Sequence, residues 1–181
     1  MNDFSDLQLV ENYIAGDEEA LRLLIERYTN VIFAFVSRYV KDDDVAADVV
    51  QDVFIKMWKN LESFDKGKNF RVWLYSIAKN TALDFLKKRK LLNFSAISED
   101  EVFDVEDVSP LPNEILKKTD EGAILNEALR QLPSLYREIL LLYYKDDFNF
   151  REISEVTGKP LNTVKSIHLR AMKMLRKILK K

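Results

Sequence analysis

The chain contains no cysteine, and it has only four glycines and four prolines among its 181 residues. The lack of cysteine excludes disulfide bonds and thiolate metal sites. Scarce glycine and proline leave few of the turns that join short strands, and period-two alternation is almost missing. No apolar run approaches the roughly 20 residues that span a bilayer, and the acidic start MNDFSDLQLVENY lacks the order of a signal peptide. These absences favour an all-α protein, which we expect to be soluble and cytoplasmic.

Residues that carry enzyme chemistry are equally scarce. His168 is the single histidine, and it falls on the apolar stripe of its segment, where a packed, hydrogen-bonded ring is the expected role. The sequence shows no Gly-rich phosphate loop, no cluster of metal ligands and no nucleophile paired with a base. We therefore expect no catalytic residue, no cofactor, no metal, no small-molecule substrate and no membrane span.

Apolar residues recur at spacings of three and four along most of the chain, which predicts helices. We expect Asp17 and Ser134 to act as N-caps, and Pro160 to lie in the first turn of the last helix. The predicted helices fall at about 5–15, 17–40, 42–61, 70–92, 113–131, 134–145, 150–157 and 160–180.

Between the predicted helices at 70–92 and 113–131 lies a stretch rich in Asp and Glu that ends in two prolines. The fold class is therefore all-α, with two small helical domains joined by a flexible acidic linker. We predict an N-terminal helical bundle at 1–94, the acidic linker at 95–111 and a C-terminal helix-turn-helix domain at 112–181. The linker is also compatible with a passive solubilising spacer.

Charge is segregated along the chain, although the net charge is only −2. Between residues 66 and 90 the single acidic residue is Asp84, against eight cations. From Lys159 to the end there is no acidic residue. Because local patches matter more than the total charge, these two segments are candidate nucleic-acid-binding surfaces.

The segment FREISEVTGKPLNTVKSIHLRAMKMLRKI is typical of a helix, a turn at Gly158 and a second helix. The second helix has an apolar inward stripe of Val164, Ile167, His168, Ala171, Leu175 and Ile178. Its outward side carries Lys165, Ser166, Leu169, Arg170, Lys173 and Lys177. A cationic and polar outer face suits insertion into the DNA major groove, with lysines on phosphates and Ser166 and Arg170 at base edges. A solvated basic surface on a structural helix hairpin is the alternative.

The segment FRVWLYSIAKNTALDFLKKRK predicts a helix with apolar residues on two sides. Phe70, Trp73, Leu74, Ile77, Ala78, Thr81 and Phe85 form the predicted core stripe. Opposite them lie Val72, Tyr75, Leu83 and Leu86, interleaved with Ser76, Lys79 and Asn80 and followed by the cations of 87–90. This second side either packs on a neighbouring helix or receives a ligand.

The segment DVAADVVQDVFIKMW predicts a further helix with an acidic and amide edge. Asp48, Gln51 and Asp52 form this edge, and Phe54 and Trp58 lie beside it. Aromatic anchors with a polar rim are typical of a protein-docking surface. A helix with aromatic core residues and a solvated acidic face is equally compatible with the pattern.

Together these blocks resemble a known family. AADVVQDVFIKMWKNLESF, followed by FRVWLYSIAKNTALDFLKKRK, is similar to the core of the bacterial extracytoplasmic-function sigma factors of the sigma-70 family. LRQLPSLYREILLLYYKDDFNFREISEVTGKPLNTVKSIHLRAMKML is similar to their C-terminal helix-turn-helix domain. The resemblance runs from about Asp6 to Leu179, and the acidic linker falls at the family's variable connector.

The resemblance implies a promoter-specificity subunit that is not an enzyme. Its partners would be bacterial RNA polymerase core, promoter DNA in double- and single-stranded form, and an anti-sigma factor; we expect a monomer when free. The implied core-polymerase contacts are Asp48, Gln51, Asp52, Phe54 and Trp58.

The resemblance also implies two DNA-binding sites. The loop FDKGKNF would hold a flipped-out base of the promoter −10 element. The implied −10 residues are Lys66, Lys68, Asn69, Trp73, Tyr75, Lys79, Asn80, Leu83 and Lys87. The implied −35 residues are Asn162, Thr163, Lys165, Ser166, Leu169, Arg170 and Lys173.

Elementary chemistry supports the −10 role for the two-sided helix. Aromatic rings stack on unpaired bases, amides bond base edges and cations follow phosphates. Tyr75, Lys79, Asn80 and the cations of 87–90 supply these groups on the second side of the helix. Stacking is worth roughly 1–3 kcal/mol per base, which is comparable with the cost of unstacking.

Two other functions compete with this one. A stand-alone helix-turn-helix regulator would use its N-terminal half as a sensor or dimerisation domain, for which the 44–90 block has no evident need. An enzyme is disfavoured because the residues for catalysis are missing.

Overall fold

The structure is a computed structural model that describes residues 4–40, 42–92 and 120–180. The chain divides into two compact units, Met1–Asn93 and Phe94–Lys181. Across the described residues the regular structure is eight α-helices and one 3-10 turn, without strands. The predicted all-α fold class is therefore confirmed, whereas the acidic linker at 95–111 lies outside the described residues. None of the described helices combines the length and the apolarity that crossing a membrane requires.

The N-terminal unit is a bundle whose helices begin at side-chain caps. Ser5 and Gln8 form a capping box at the first helix, and Asp17 accepts from the backbone N of Glu19 at 3.0 Å, as predicted. Asp42 caps the third helix in the same way. The helices are α1 (Asp6–Ile14), α2 (Glu18–Val36), α3 (Asp43–Asn60) and α4 (Phe70–Leu92), with the 3-10 turn Leu61–Ser63 after α3.

Helix α2 packs against α1, α3 and α4 and supplies the centre of this core. Its buried side chains meet apolar rows on α3 and α4, which removes nearly all of this area from water. The fully buried residues include Leu24, Ile32, Phe35, Val53, Met57, Leu74 and Ala78. Helix α2 ends at Val36, earlier than predicted, because the backbone N–H groups of Arg38 and Tyr39 bond to carbonyls three residues back, at 3.2 and 2.8 Å, and the chain turns.

An aromatic cluster closes the bundle at the start of α4. The rings of Phe64 and Phe70 meet edge to face at 5.6 Å, and Trp73 lies 4.9 Å from Phe64 and 5.7 Å from Phe70. Tyr28 of α2 joins this group at 5.6 Å from Phe70. Its hydroxyl donates to Asp6, and burial together with this bond raises the pKa of Tyr28. The cluster thereby fixes both ends of the loop 65–69.

The C-terminal unit is built around its last helix, which packs against the other three. One of its core clusters comprises Ala128, Leu129, Leu132, Leu140, Leu141, Ala171 and Leu175. The buried guanidinium of Arg137 donates to the carbonyls of Arg130 and Leu132 at 3.0 and 3.1 Å, which satisfies the end of the first of these helices. The helices are α5 (Asp120–Arg130), α6 (Ser134–Tyr144), α7 (Phe150–Thr157) and α8 (Leu161–Leu179).

Several helix boundaries differ from those that the sequence predicts. Ser134 was predicted to cap α6, but Pro133 holds the cap position and Ser134 is already helical. Pro160 likewise holds the cap position of α8 instead of its first turn. In both cases the proline's fixed φ directs the chain into the helix without a side-chain bond. Asn149 and Glu152 form a capping box at α7, which was not predicted from the sequence.

The turn between α7 and α8 depends on Gly158, as predicted. Its φ is 66°, a left-handed conformation that ends α7. A Cβ at this position would meet no atom within 4 Å, so the requirement concerns backbone conformation and not space. Side chains with a Cβ adopt this conformation at a cost of roughly 1–2 kcal/mol.

We predict that Gly158→Ala lowers the free energy of unfolding of the C-terminal unit by about 1 kcal/mol, because alanine strains the left-handed turn. Gly158→Asn should cost less, since asparagine tolerates this conformation. Urea denaturation followed by circular dichroism measures both. Equal losses for the two variants would contradict a conformational role for Gly158.

Candidate nucleic-acid interface

Helix α8 has one buried side and one exposed side, as the sequence predicts. Val164, Ile167 and Ala171 are buried against the core, while His168 and Ile178 are partly buried. Helix α7 packs against α8, and its residues Ile153 and Val156 are buried. The residues predicted to face outward are all exposed: Lys165, Ser166, Leu169, Arg170, Lys173 and Lys177.

The exposed side of α8 is strongly cationic. Among the described residues, no carboxylate forms an ion pair with Lys165, Arg170 or Lys173. Asn162 is exposed and Thr163 is half-buried at the start of the helix. The hydroxyl of Ser166 donates to the carbonyl of Thr163 at 2.9 Å, which leaves its oxygen free to accept a hydrogen bond. Unpaired cations beside such a group are suited to phosphates and base edges.

A groove of about 770 Å³ runs beside this face, and Arg170, Lys173 and Lys177 line one wall of it. Apolar atoms of Tyr136, Met174 and Ile178 also line it, with Gln131. The cations of α8 therefore extend around the helix toward α6.

His168 is packed, as predicted, and its neighbours are aromatic rings. Its ring lies 5.0 Å from Tyr143, 5.0 Å from Phe150 and 5.7 Å from Tyr144. The hydrogen bond expected for this ring is missing at Nε2, which is buried and finds no partner among the described residues. Burial lowers the pKa of His168, because the charged form is the more costly to desolvate. The described residues also contain no group of ligands that could hold a metal ion.

The loop 65–69 between the 3-10 turn and α4 is held in one conformation by its own side chains. Asp65 accepts from the backbone N of Gly67 at 3.0 Å, and the backbone N of Lys68 donates to the Asp65 carbonyl at 2.9 Å. Asn69 accepts from the first backbone N–H groups of α4, at 3.0 Å from Arg71. Lys66 reaches Glu11 of α1 at 3.4 Å. The side chains of the loop are exposed on a rigid frame.

A pocket of about 250 Å³ opens between this loop and α4. Its aromatic wall is Trp73, half-buried, with Phe64 packed behind it. Its volume is below the roughly 300–1,000 Å³ of pockets for drug-sized ligands, so a single planar group is the better fit. The lining residues are Asn60, Ser63, Phe64, Asp65, Lys68, Trp73 and Ile77. The loop was predicted from the sequence, whereas Asn60, Ser63 and Ile77 were not, because only the fold brings them to the loop.

The structure corrects the predicted faces of α4. Tyr75, predicted to stack on unpaired bases, is buried with 1% of its surface exposed, and its ring lies 4.8 Å from Phe35. Lys79 is also buried, at 8% exposed. The two lie on the side of α4 that packs within the bundle, where apolar neighbours outweigh solvation. For Tyr75 the packing alternative is therefore correct, and neither side chain lies on an open surface.

The open side of α4 is the one that carries Trp73 and Asn80. Trp73, predicted as core, is half-buried, Asn80 and Lys87 are exposed, and Leu83 is half-buried. Residues spaced by seven lie on one helix side, so Trp73, Asn80 and Lys87 follow one another along α4. This row begins at the pocket and ends at the cationic tail.

Helix α3 presents the acidic and amide edge that the sequence predicts. Asp48, Gln51 and Asp52 are exposed, and Phe54 is half-buried. Trp58 is 50% exposed, and its Nε1 donates to the hydroxyl of Tyr13 on α1 at 2.6 Å. The fold thus brings an exposed, fixed aromatic ring to the same side as the acidic edge.

The C-terminal unit has a helix-turn-helix with a cationic exposed side. The N-terminal unit has a pocket suited to a planar group, beside a helix with a cationic tail. Together these features are typical of a helical DNA-binding protein. Family models place it more narrowly. Residues 24–91 match Sigma-70 region 2, and residues 123–175 match Sigma-70 region 4.

Curated sigma factors are similar in sequence to this chain over nearly its whole length. The ECF RNA polymerase sigma-E factor of Haemophilus influenzae is 35% identical over 94% of this chain and 93% of its own length. The sigma-E factor of Escherichia coli K12 is 34% identical over 92% of this chain and 90% of its own length. Among solved structures, the sigma factor RpoE of Bartonella quintana, in complex with the anti-sigma factor NepR, is 25% identical with a TM-score of 0.65, covering 88% of this chain and 96% of that one.

The chain belongs to the extracytoplasmic-function sigma factors of the sigma-70 family. It is a transcription initiation factor that binds RNA polymerase core and directs promoter recognition, as the resemblance implied. The match to region 2 over the N-terminal half disfavours the stand-alone regulator, which would need no such region.

We predict that protonation of His168 destabilises the C-terminal unit. Its pKa is lowered in the fold and near 6.5 in the unfolded chain, so the unfolded state binds the proton first. The free energy of unfolding should therefore fall as pH drops below about 6.5. Hydrogen exchange of α8 amides at several pH values measures this fall. His168→Phe should reduce it, and an unchanged pH dependence would contradict the assignment.

Proposed function

We propose that this sigma factor opens promoter DNA by capturing an unpaired base of the −10 element in the pocket beside Trp73. The observation that carries the proposal is the pocket itself, with an aromatic wall, a rigid polar loop and an exposed amide and cation farther along the same helix side. A base extruded from a duplex needs a flat partner and polar groups at its edge. This pocket supplies both before any DNA arrives.

The proposed capture assigns a separate task to each side chain. Trp73 stacks on the base, Lys68 contacts the strand from the pocket lining, and Lys66 and Asn69 contact it from the same loop. Asn80 bonds the edge of a neighbouring base, Leu83 packs against it and Lys87 follows the phosphates. Stacking of roughly 1–3 kcal/mol per base offsets the cost of unstacking, so melting requires no nucleotide hydrolysis.

The C-terminal unit has a complementary task in this proposal, which is to bind the −35 element as duplex. Helix α8 enters the major groove with its exposed side. Lys165 and Lys173 contact phosphates, and Ser166 and Arg170 reach base edges, with Asn162 and Thr163 at the start of the helix. The phosphate contacts give affinity, and the base contacts give sequence preference.

Helix α3 is the proposed docking surface for polymerase core. Asp48, Gln51 and Asp52 form its polar rim, and Trp58 and Phe54 supply aromatic area. Tyr13 holds the Trp58 ring in place through its hydrogen bond, so little side-chain entropy is lost on binding.

We further propose that the chain has no catalytic activity of its own and that an anti-sigma factor restrains it. The relative from Bartonella quintana was solved with an anti-sigma factor, which supports a partner of that kind for this chain. Such a partner would occupy the same surfaces that polymerase and DNA need. The free chain would then be a monomer.

The test of base capture compares open and closed promoter complexes. We predict that Asn80→Ala lowers open-complex formation about fivefold or more, because one base contact of at least 1 kcal/mol is lost, while closed-complex binding changes little. Permanganate footprinting measures unpaired thymines, and a mobility shift at low temperature measures closed complexes.

Asn30→Ala is the matched control, since Asn30 is exposed on α2, away from the pocket. It should leave both complexes unchanged. An equal loss of closed and open complexes with Asn80→Ala would argue against base capture.

For polymerase docking, we predict that Asp48→Ala combined with Gln51→Ala weakens binding to core polymerase about tenfold, because two polar contacts at the rim are lost. Titration of labelled chain with core polymerase gives the dissociation constant. The control variant Glu18→Ala with Asn30→Ala removes an exposed acid and an exposed amide from α2 instead. Equal affinities of the two double variants would exclude the α3 surface.

A further inference from the structure

Leu169 is a large apolar side chain on the cationic side of α8. It is 57% exposed and is not one of the buried residues that form the core. Its neighbours at spacings of three and four are Lys165, Ser166 and Lys173, which are exposed, and Met172, which is half-buried against the core. Scattered exposed leucines are normal, but this one lies at the centre of the proposed DNA-binding surface.

The other exposed apolar residues of α8 have a different setting. Met174 lines the groove next to Tyr136, and Leu179 is the last residue of the helix. Leu169 instead lies between Lys165 and Ser166 on the preceding turn and Lys173 on the following turn, on the cationic side of the helix.

The major groove offers one apolar group to such a side chain. Each base pair there presents hydrogen-bond donors and acceptors, and thymine adds its C5-methyl group. Cytosine has no methyl at that position and offers a donor instead. An apolar residue in the groove therefore favours thymine over cytosine and over any base whose polar edge it would cover.

The neighbouring Ser166 fits the same base pair. Its hydroxyl donates to Thr163 at 2.9 Å, so its oxygen is left to accept a hydrogen bond. Adenine presents its N6 amino donor in the major groove, beside the methyl of its thymine partner. Side chains three residues apart lie next to each other on α8, so one can meet the methyl while the other meets the amino group.

We propose that Leu169 is a specificity-determining residue that selects thymine in the −35 element by covering its C5-methyl group. This inference rests on the proposed role of α8 in binding the −35 duplex, and it adds the base that the surface prefers. Ser166 supports the choice by accepting from the adenine of the same or the adjacent pair.

The test removes the methyl group from DNA and the apolar side chain from the protein. Holoenzyme assembled from the full chain and bacterial core polymerase selects duplexes from a randomised library, and the enriched −35 sequence is read. That duplex is then synthesised with deoxyuridine in place of one thymine at a time. Fluorescence anisotropy measures the affinity of each duplex for the holoenzyme.

We expect one thymine position at which deoxyuridine weakens binding about fourfold, the value of one buried methyl group. With Leu169→Ala this difference should vanish, because the alanine side chain no longer reaches the methyl. Leu169→Met keeps an apolar contact and should retain most of it. Leu179→Ala, the matched control on the same helix, should behave like the unaltered chain.

The outcomes distinguish a failure of the thymine contact from a failure of the proposed −35 role of α8. If the holoenzyme enriches a −35 sequence but no deoxyuridine effect depends on Leu169, the thymine contact is wrong while the role of α8 stands. If no −35 sequence is enriched, the proposed role of α8 fails and the inference fails with it.

Discussion

The packing of Phe64, Phe70 and Trp73 around the start of α4 is the contact on which the N-terminal unit's site depends. These rings close the bundle, fix both ends of the loop 65–69 and form the aromatic wall of the pocket. Burial of large rings is favourable by several kcal/mol per side chain, so the pocket is held by the same free energy that stabilises the core. A site built in this way loses little entropy when a base enters it.

In the C-terminal unit, a single helix provides both the core contacts and the exposed cationic surface. Helix α8 is packed on one side by α5, α6 and α7, and it is free to meet a ligand on the other. The turn at Gly158 sets its direction, and the aromatic setting of His168 anchors it at the α7 side. Duplex binding needs an exposed convex surface, whereas capture of a base needs a concave one, and the two units supply one each.

Sequence periodicity was a reliable guide wherever a helix has one buried side. The two sides of α8 were predicted correctly because polar and apolar residues alternate there with a clear helical period. The sides of helix α4 were predicted less well, because apolar residues occur around most of its circumference and Tyr75 and Trp73 are both amphipathic. Which ring is buried depends on whether Phe35 or the loop 65–69 is its neighbour, and no local pattern contains that information.

The helices, the glycine turn, the segregation of charge and the family could be predicted without a structure, because each is encoded by neighbouring residues or by motif order. The tertiary structure adds that Trp73 lies with Asn80 on the open side of α4, whereas Tyr75 and Lys79 are buried. It also decided that Asn60, Ser63 and Ile77 share a pocket with Lys68, and that Tyr13 fixes Trp58. These relations join residues far apart in the chain, so they arise from the packing of helices, which chain periodicity does not specify.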